Sequence, residues 1–194
     1  TAGEDISFSW EEIVVKEKFL KIVWNLHKLL ISSAKESGIN PFALDADLEE
    51  MQLGSSEKYI LSNLQSTLTR VTDLMETYRL DKVGDVIEAL FFNLSRNYVQ
   101  MVRDRLATGS KEEKEIVLFT VAKVMLDGLK MLQMFCPFVS EVMYLNLKEE
   151  FSLEEESISH YMWPKVEKKL MDTKLEAQMQ TLDLVMQASL NARE

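Results

Sequence analysis

The sequence predicts an all-α protein, an antiparallel helical bundle of about four long helices with a short helix and a C-terminal helix added. Apolar residues recur every three or four positions through most of the chain, which is the spacing of a helix face. Only six glycines and three prolines occur in 194 residues, too few breakers for the many turns of an all-β fold. Hydrophobic residues make up 46% of the chain, enough for a sizeable core.

The first helix is predicted from about Glu11 to Ser37. Ser9 and Glu12 have the spacing of a capping box at its start. Gly38 is expected to end it, because glycine is favoured just after the last turn of a helix. Its expected buried stripe consists of Phe19, Leu20, Val23, His27, Leu30, Ile31 and Ala34.

Two further helices are predicted after a connector over residues 40–54. The second begins at Ser55 or Ser56, either of which could cap it, and ends near Tyr78. The third covers about 80–106 as one uninterrupted helix. The second stripe is Ile60, Leu64, Thr67, Val71, Leu74, Met75 and Tyr78, and the third is Val83, Ile87, Leu90, Leu94, Tyr98 and Met101.

A fourth helix is predicted over about 111–135, with Ser110 and Glu113 as a capping box. Pro137 should end or kink it, and a short fifth helix covers about 139–149. Residues 151–165 are expected to be irregular.

A last amphipathic helix is predicted over about 168–193. We therefore divide the chain into a helical bundle over 1–165 and a C-terminal return helix over 166–194, the start of a further region. Because the sequence lacks an initial Met and stops within a helical pattern, we expect it to be cut from a longer protein.

The charge of the chain disfavours some partners. Its 22 basic and 32 acidic residues give a net charge of −10, which argues against nucleic acid and anionic membranes. The acidic residues are concentrated in two loops, so the charge of single helix faces matters more than the total. The acidic loops hold Asp45, Asp47, Glu49 and Glu50, and Glu149, Glu150, Glu154, Glu155 and Glu156.

Cysteine usage and hydropathy bear on the compartment. The single cysteine, Cys136, excludes a disulfide framework and fits a reducing compartment. No apolar run is long enough to span a bilayer, and the N-terminus lacks the apolar segment of a signal peptide. We therefore expect a cytoplasmic protein without membrane contact.

The titratable residues form no catalytic pattern. His27 and His160 lie on separate predicted elements, and neither has a glutamate at the spacing that a di-iron bundle requires. His27 falls within an apolar stripe, so we expect a hydrogen-bonded core histidine. There is no glycine-rich phosphate loop, and Cys136 is expected to pack as a small hydrophobe. We expect no metal ion and no cofactor in this chain.

The third predicted helix offers the sharpest binding pattern. On a straight helix, one face opposite the core stripe holds two arginines, two amides and an aromatic ring. Arginine can contact phosphates or base edges, amides can read bases, and a ring can stack on an unpaired base. The alternative is a solvated face with the ring covered by a neighbour. These residues are Phe92, Asn93, Arg96, Gln100 and Arg103.

The first predicted helix carries a second polar stripe on its outer face. Its lysines could track a phosphate backbone, although a lysine-rich solvated face is the alternative. The stripe consists of Lys18, Lys21, Asn25, Lys28 and Ser32.

Five short segments, taken in order, resemble the helical anticodon-binding domain of class I aminoacyl-tRNA synthetases. The first joins FSWEE at 8–12 to FL at 19–20 and VWN at 23–25, and is similar to the family's FSWEEV…FLNxxWN opening. The others are YILSNLQ at 59–65, LSRNYV at 94–99, CPFVSE at 136–141 and SISHYMWP at 157–164. The set covers nearly the whole chain, and the first and third segments are most similar to isoleucyl-tRNA synthetases, with the valyl and leucyl enzymes as neighbours.

The chain departs from the family pattern at three positions. Asn63 stands where the family usually has Arg, Asn97 where it has Trp, and Ser159 where it has His. The resemblance implies that the chain holds the anticodon stem-loop of a tRNA. Together with the polar faces of the first and third predicted helices, it marks as candidate tRNA contacts Arg96, Asn97, Gln100, Arg103, Asn63, Phe92, Lys18, Lys21 and Lys28.

The family's catalytic signatures, of the HxGH and KMSKS kinds, are missing from the chain. The resemblance therefore implies a module without catalytic activity of its own, whose parent is an aminoacyl-tRNA ligase and whose partners are tRNA and the parent's catalytic domain. The alternatives are a helical scaffold that binds a protein, the same domain from a valyl or leucyl enzyme, and a small-molecule enzyme built in a bundle core. The lack of convergent titratable residues disfavours the last.

Overall fold

The computed structural model describes residues 9–44 and 52–191, and within these ranges the chain is helical and contains no strand. This agrees with the predicted all-α class. No helix in the described part is sufficiently long and apolar to cross a membrane. The helices are α1 (Trp10–Ser37), α2 (Ser55–Glu76), α3 (Val83–Phe92), α4 (Val99–Thr108), α5 (Lys111–Leu132), α6 (Pro137–Phe151) and α7 (Thr173–Asn191). The sequence features that lie outside the described residues are Phe8 of the first motif, the acidic residues Asp45, Asp47, Glu49 and Glu50, and residues 192–194.

Helix α1 matches its prediction closely. Ser9 occupies the N-cap position, although its side chain makes no capping hydrogen bond. Gly38 ends the helix in the left-handed conformation, with φ of 64°, as its position predicts. The buried residues are Phe19, Val23, Leu26, His27, Leu30 and Ala34, while Leu20 and Ile31 are partly buried against the core.

Helix α2 lies at the centre of the bundle and contacts α3, α5 and α7. The predicted serine cap is wrong, because Gly54 is the N-cap and its backbone N–H donates to Glu57 Oε2 at 3.0 Å. Tyr78 does not belong to the buried stripe: it is 79% exposed and left-handed, with φ of 56°, two residues beyond the end of the helix. The chain turns there, so the side chain leaves the helix face.

The predicted third helix is continuous but not uniformly α-helical. Between α3 and α4 lies a six-residue π-helical stretch, Asn93–Tyr98, which we call the π segment. A π turn holds one more residue than an α turn, so the core stripe shifts by one position after it. Val102 is therefore buried, whereas Met101, predicted in the core, is 40% exposed. Asn63 of α2 contacts Asn93, and Glu57 contacts Tyr98, so α2 and this helix run antiparallel.

Helices α5 and α6 agree with their sequence signals. The predicted capping box is present: Ser110 N–H donates to Glu113 Oε2 at 2.8 Å, and Glu113 N–H donates to Ser110 Oγ at 3.2 Å. Pro137 takes the first position of α6, where its missing N–H costs nothing. Gly128 of α5 lies under Phe91 of α3, and a Cβ there would come within 2.7 Å of the ring.

A connector over residues 161–172 binds along α2 before α7 begins. Trp163 Nε1–H donates to Thr72 Oγ1 at 3.0 Å, and Glu167 N–H donates to Gln65 Oε1 at 2.8 Å. Helix α7 starts five residues later than predicted, because Lys168–Leu170 is a 3-10 turn.

Candidate nucleic-acid interface

The π segment exposes an arginine held against an aromatic ring. Arg96 is exposed, and its guanidinium carbon lies 4.4 Å from the centre of the half-buried Phe92 ring. The same ring also meets α1, where the Phe19 ring lies roughly perpendicular to it with its centre 5.8 Å away. Phe92 is therefore fixed by the core, and Arg96 rests on it. A guanidinium ordered in this way can still donate to phosphate oxygens or stack under a base.

Three asparagines form a chain of amide hydrogen bonds beside this pair. Asn97 Nδ2 donates to Asn93 Oδ1 at 3.3 Å, and Asn93 Nδ2 donates to Asn63 Oδ1 of α2 at 3.2 Å. All three are partly exposed. Amide groups can donate to and accept from base edges, and the bonds between these three hold them in one orientation. We call Asn63, Phe92, Asn93, Arg96 and Asn97 the π-segment face.

Gln100 and Arg103 lie beyond the π segment on α4, and both are exposed. One extra residue in a helix rotates all later residues by about 100° around the helix axis. On a straight α-helix Arg96 and Arg103, which are seven residues apart, would share one face, but the π segment removes this alignment. The structure brings Asn63, Phe92, Arg96 and Asn97 together, but it gives no contact that joins Gln100 or Arg103 to them.

Behind the face lies a buried carboxylate that the sequence patterns did not reveal. Glu57 is fully buried, and its Oε1 accepts hydrogen bonds from Tyr98 Oη at 3.0 Å and from the Arg105 guanidinium. Burial, reinforced by the Glu57 charge, raises the pKa of Tyr98 well above its usual value, so this phenol stays a donor. A glutamate three residues after a glycine at a helix start is the one signal that could have pointed to Glu57.

The lysines of α1 have different surroundings. Lys21 forms an ion pair with Glu17 at 2.6 Å, and Lys18 is exposed. Lys28 lines an open cavity of about 370 Å³ between α1 and α6. The other lining residues are Trp24, His27, Ile31, Ser32, Lys35 and Asn146. The concave surface that Lys28 borders combines an indole ring, a second lysine and an amide.

His27 is the hydrogen-bonded core histidine that the sequence predicts. It is 1% exposed, its Nδ1 bonds the Trp24 carbonyl and its Nε2 lies 3.2 Å from Asn146 Nδ2. Burial lowers the pKa of His27, and the neighbouring Lys28 charge adds to this.

Cys136 packs against the core, and burial raises the pKa of its thiol. Among residues 9–44 and 52–191, no group of three acidic, histidine or cysteine side chains could hold a metal ion.

Comparison with known proteins agrees with the sequence motifs. A family model described as the anticodon-binding domain of tRNA ligase matches residues 57–194. The chain is 30% identical over 193 residues to an isoleucine–tRNA ligase of Pyrococcus abyssi. It is 29% identical to the isoleucine–tRNA ligases of Thermococcus kodakarensis and Methanosarcina mazei. Each alignment covers 98% of this chain but 18% of the relative, so the chain spans about a fifth of the length of these proteins.

Proposed function

Because this chain belongs to the family of anticodon-binding domains of tRNA ligases, we propose that it binds the anticodon stem-loop of a tRNA through the π-segment face. The observation that supports this assignment most directly is the pairing of Arg96 with Phe92 beside three linked amides. These five residues lie within the matched residues 57–194, whereas Phe19, which supports the Phe92 ring, lies before them.

The chemistry of the face fits an RNA loop better than a duplex. The bases of a loop are unpaired, so they can stack on a guanidinium plane and offer their edges to amides. Arg96 supplies the plane and the positive charge, and the partly exposed amides of Asn63, Asn93 and Asn97 supply donors and acceptors. Gln100 and Arg103 extend the polar surface along α4, where they would meet the phosphates of the stem.

Two further lysine surfaces complete the proposal. Lys28 borders the α1–α6 cavity together with Trp24 and Lys35, a combination suited to a phosphate next to an unpaired base. Lys18 and Lys21 lie on the same helix, nearer its N-terminus. Long-range attraction is weak, because the chain carries a net charge of −10. We therefore expect modest affinity that falls steeply with salt, as phosphate contacts release counterions.

The parent protein is proposed to be an isoleucine–tRNA ligase, since the relatives carry that name. We propose that it acts in the cytoplasm. In this proposal the present chain needs no cofactor and takes no part in amino-acid activation. Its role is to hold the anticodon end so that the acceptor end of the tRNA reaches a catalytic domain elsewhere in the parent.

The exposed apolar side chains of α6 support a second candidate function, contact with another protein surface. Phe138, Val142 and Leu145 recur at helical spacing and are 85%, 47% and 42% exposed. We propose the catalytic domain of the parent as the partner, because such proteins extend far beyond the aligned 18%. In the full-length parent, Val142→Asp should weaken this contact and increase protease cleavage between the domains, whereas Asp172→Asn, a control far along the chain, should not. Equal cleavage in both variants would refute it.

The tRNA proposal is tested by a gel-shift of the purified chain against a panel of tRNA transcripts at 50 and 200 mM salt. We expect the isoleucine tRNA to bind tightest, and all binding to weaken at the higher salt concentration. No binding to any transcript, by a chain whose circular dichroism spectrum is helical, would refute the proposal.

A further inference from the structure

The π segment is held at both ends by the same helix, and this arrangement bears on how the RNA-binding face is built. Its first residue, Asn93, bonds Asn63 of α2, and its last residue, Tyr98, bonds Glu57 of α2. Arg105, two turns further on in α4, reaches the same Glu57 carboxylate. Helix α2 thus forms hydrogen bonds with the first and last residues of the π segment and with Arg105 of α4.

A regular α-helix is the alternative conformation of the π segment. Residues on both sides of it keep right-handed helical angles, so the stretch could relax to a regular α-helix by rotating α4 relative to α3. Such a rotation, about 100° for one residue, would carry Tyr98 and Val102 out of the core, where both are fully buried. It would also change the direction of Arg96, which lies in the middle of the segment. The register of the face therefore depends on what holds Tyr98 and Arg105.

Glu57 can hold Tyr98 and Arg105 in place because its carboxylate is fully buried. It is the one fully buried carboxylate among the residues that the structure describes. Its Oε2 accepts the Gly54 N–H at 3.0 Å, and its Oε1 accepts from Tyr98 and Arg105. A buried charge is costly unless its donors stay in place, so the carboxylate penalises any register that moves Tyr98 or Arg105 away.

We propose that Glu57 is a positioning residue for RNA recognition. By holding Tyr98 and Arg105 it fixes the rotational register of the π segment, and so keeps Arg96 and Asn97 on the face that Asn93 and Asn63 share. Glu57 does not itself touch RNA, because it is fully buried. This inference rests on the proposed function for its biological meaning, but its structural part can be tested without RNA.

The structural test is amide hydrogen exchange of the chain by NMR, comparing wild type with Glu57→Gln. The variant keeps the size of the side chain and removes the charge that pairs with Arg105. We expect Glu57→Gln to speed up the exchange of amides over residues 97–103. This acceleration, relative to wild type, should be at least ten times larger than that of the α5 amides. Tyr98→Phe, which leaves the ion pair intact, should give the same local pattern to a smaller degree and serves if Glu57→Gln does not fold.

Glu113→Gln is the matched control. Like Glu57, Glu113 is the third residue of its helix and its side chain accepts the backbone N–H of the N-cap residue, but no hydrogen bond joins it to Tyr98 or Arg105. This variant should leave exchange over 97–103 unchanged. A uniform change across the chain in Glu57→Gln and Tyr98→Phe, or no change in either, would overturn the proposal and leave Glu57 with a purely general role in stability.

The RNA test is a double-mutant cycle with the isoleucine tRNA transcript as the probe. If Glu57 acts in part through Arg96, then Glu57→Gln and Arg96→Ala should each weaken binding about tenfold, and the double variant should lose clearly less than the roughly hundredfold expected of independent effects. Fully additive losses would contradict the proposal. If wild type binds no RNA, the proposed function fails, while the exchange experiment still decides whether Glu57 sets the register.

Discussion

Arg96 and Phe92 form a cation–π pair at the start of an irregular helical turn, with the guanidinium carbon 4.4 Å from the ring centre. In a straight α-helix the two residues would also be neighbours, since they are four positions apart. Beside this pair, Asn97 donates to Asn93, and Asn93 donates to Asn63 of α2. The result is one polar face that combines a positive charge, a ring and linked amides.

Replacing Arg105 should destabilise the fold more than replacing its exposed neighbour. Arg105→Ala leaves the Glu57 carboxylate buried without its cationic partner, and hydrogen bonds to charged groups contribute about 1.5–3 kcal/mol. Because Arg105 is itself 30% exposed, we expect a loss near the lower end of that range. Urea denaturation monitored by circular dichroism measures the difference. Arg103→Ala, two residues away and exposed, is the control and should change stability by less than about 0.5 kcal/mol. Equal losses in the two variants would contradict this network.

The buried His27 should make stability depend on pH. Burial lowers its pKa below the usual value of about 6.5, so the unfolded chain binds a proton at a higher pH than the folded chain does. Stability is therefore complete above about pH 6.5 and falls as the pH drops towards the folded pKa. The groups that face this ring are the Trp24 carbonyl, the Asn146 amide and the Lys28 charge.

Melting temperatures at pH 7.5, 6.5 and 5.5 should show that decline in wild type. His27→Gln, which keeps a polar side chain but does not titrate, should show a shallower decline over the same interval. Identical slopes in wild type and His27→Gln would contradict the assignment.

Gly128 should tolerate no side chain. A Cβ at this position would lie 2.7 Å from Phe91 Cζ, so Gly128→Ala must displace a buried ring and should cost about 1–3 kcal/mol. Gly84 in α3 provides the opposite case, because nothing lies within 4 Å of its Cβ position. There the substitution to alanine should stabilise by up to about 1 kcal/mol through helix propensity. Thermal denaturation of both variants checks the pair, and a Gly128→Ala variant as stable as wild type would refute the close packing.

The chain alone should not activate an amino acid. It lacks the HxGH and KMSKS signatures of the resembled family. Isoleucine-dependent pyrophosphate exchange should therefore be at background in highly purified chain. Exchange that copurifies with the chain through several columns would show that the proposed non-catalytic role is wrong.

Much of the fold can be predicted from local sequence signals. Gly38 ends α1 and the Ser110–Glu113 capping box begins α5 because both act through the backbone of their own neighbourhood. Periodicity also identified the core face of α1. It failed at Tyr78 and Met101, where the chain leaves the ideal 3.6-residue repeat: one turns left-handed after α2, and the other comes after the π segment.

The candidate site was predicted in part, and for similar reasons. Helical spacing singled out Phe92 and Arg96, and the LSRNYV motif singled out Arg96 and Asn97; these three residues lie close together in the structure. The sequence could not reveal that the Phe92 ring rests on Phe19 or that Asn93 bonds Asn63, since those contacts join different helices. Glu57 was missed because a buried charge has no periodic pattern, and only its distant partners Tyr98 and Arg105 show why it is there.

The most direct test of RNA binding by the π-segment face and the adjoining surface of α4 is the tRNA affinity of Arg96→Ala and Arg103→Ala, measured by fluorescence anisotropy with the isoleucine tRNA and with anticodon variants of it. Arg79→Ala is the matched control, because this arginine is exposed and pairs with Asp81 at 3.4 Å. It precedes α3 and lies about 25 Å from Arg96 along the helix axis. If Arg96 reads a base, its loss should cost about 1–3 kcal/mol and reduce discrimination among the anticodon variants. If it contacts phosphate alone, all transcripts should weaken alike and the salt dependence should become shallower. Affinity unchanged in both Arg96→Ala and Arg103→Ala, with helical content equal to that of Arg79→Ala, would contradict RNA binding here and leave this face a solvated surface.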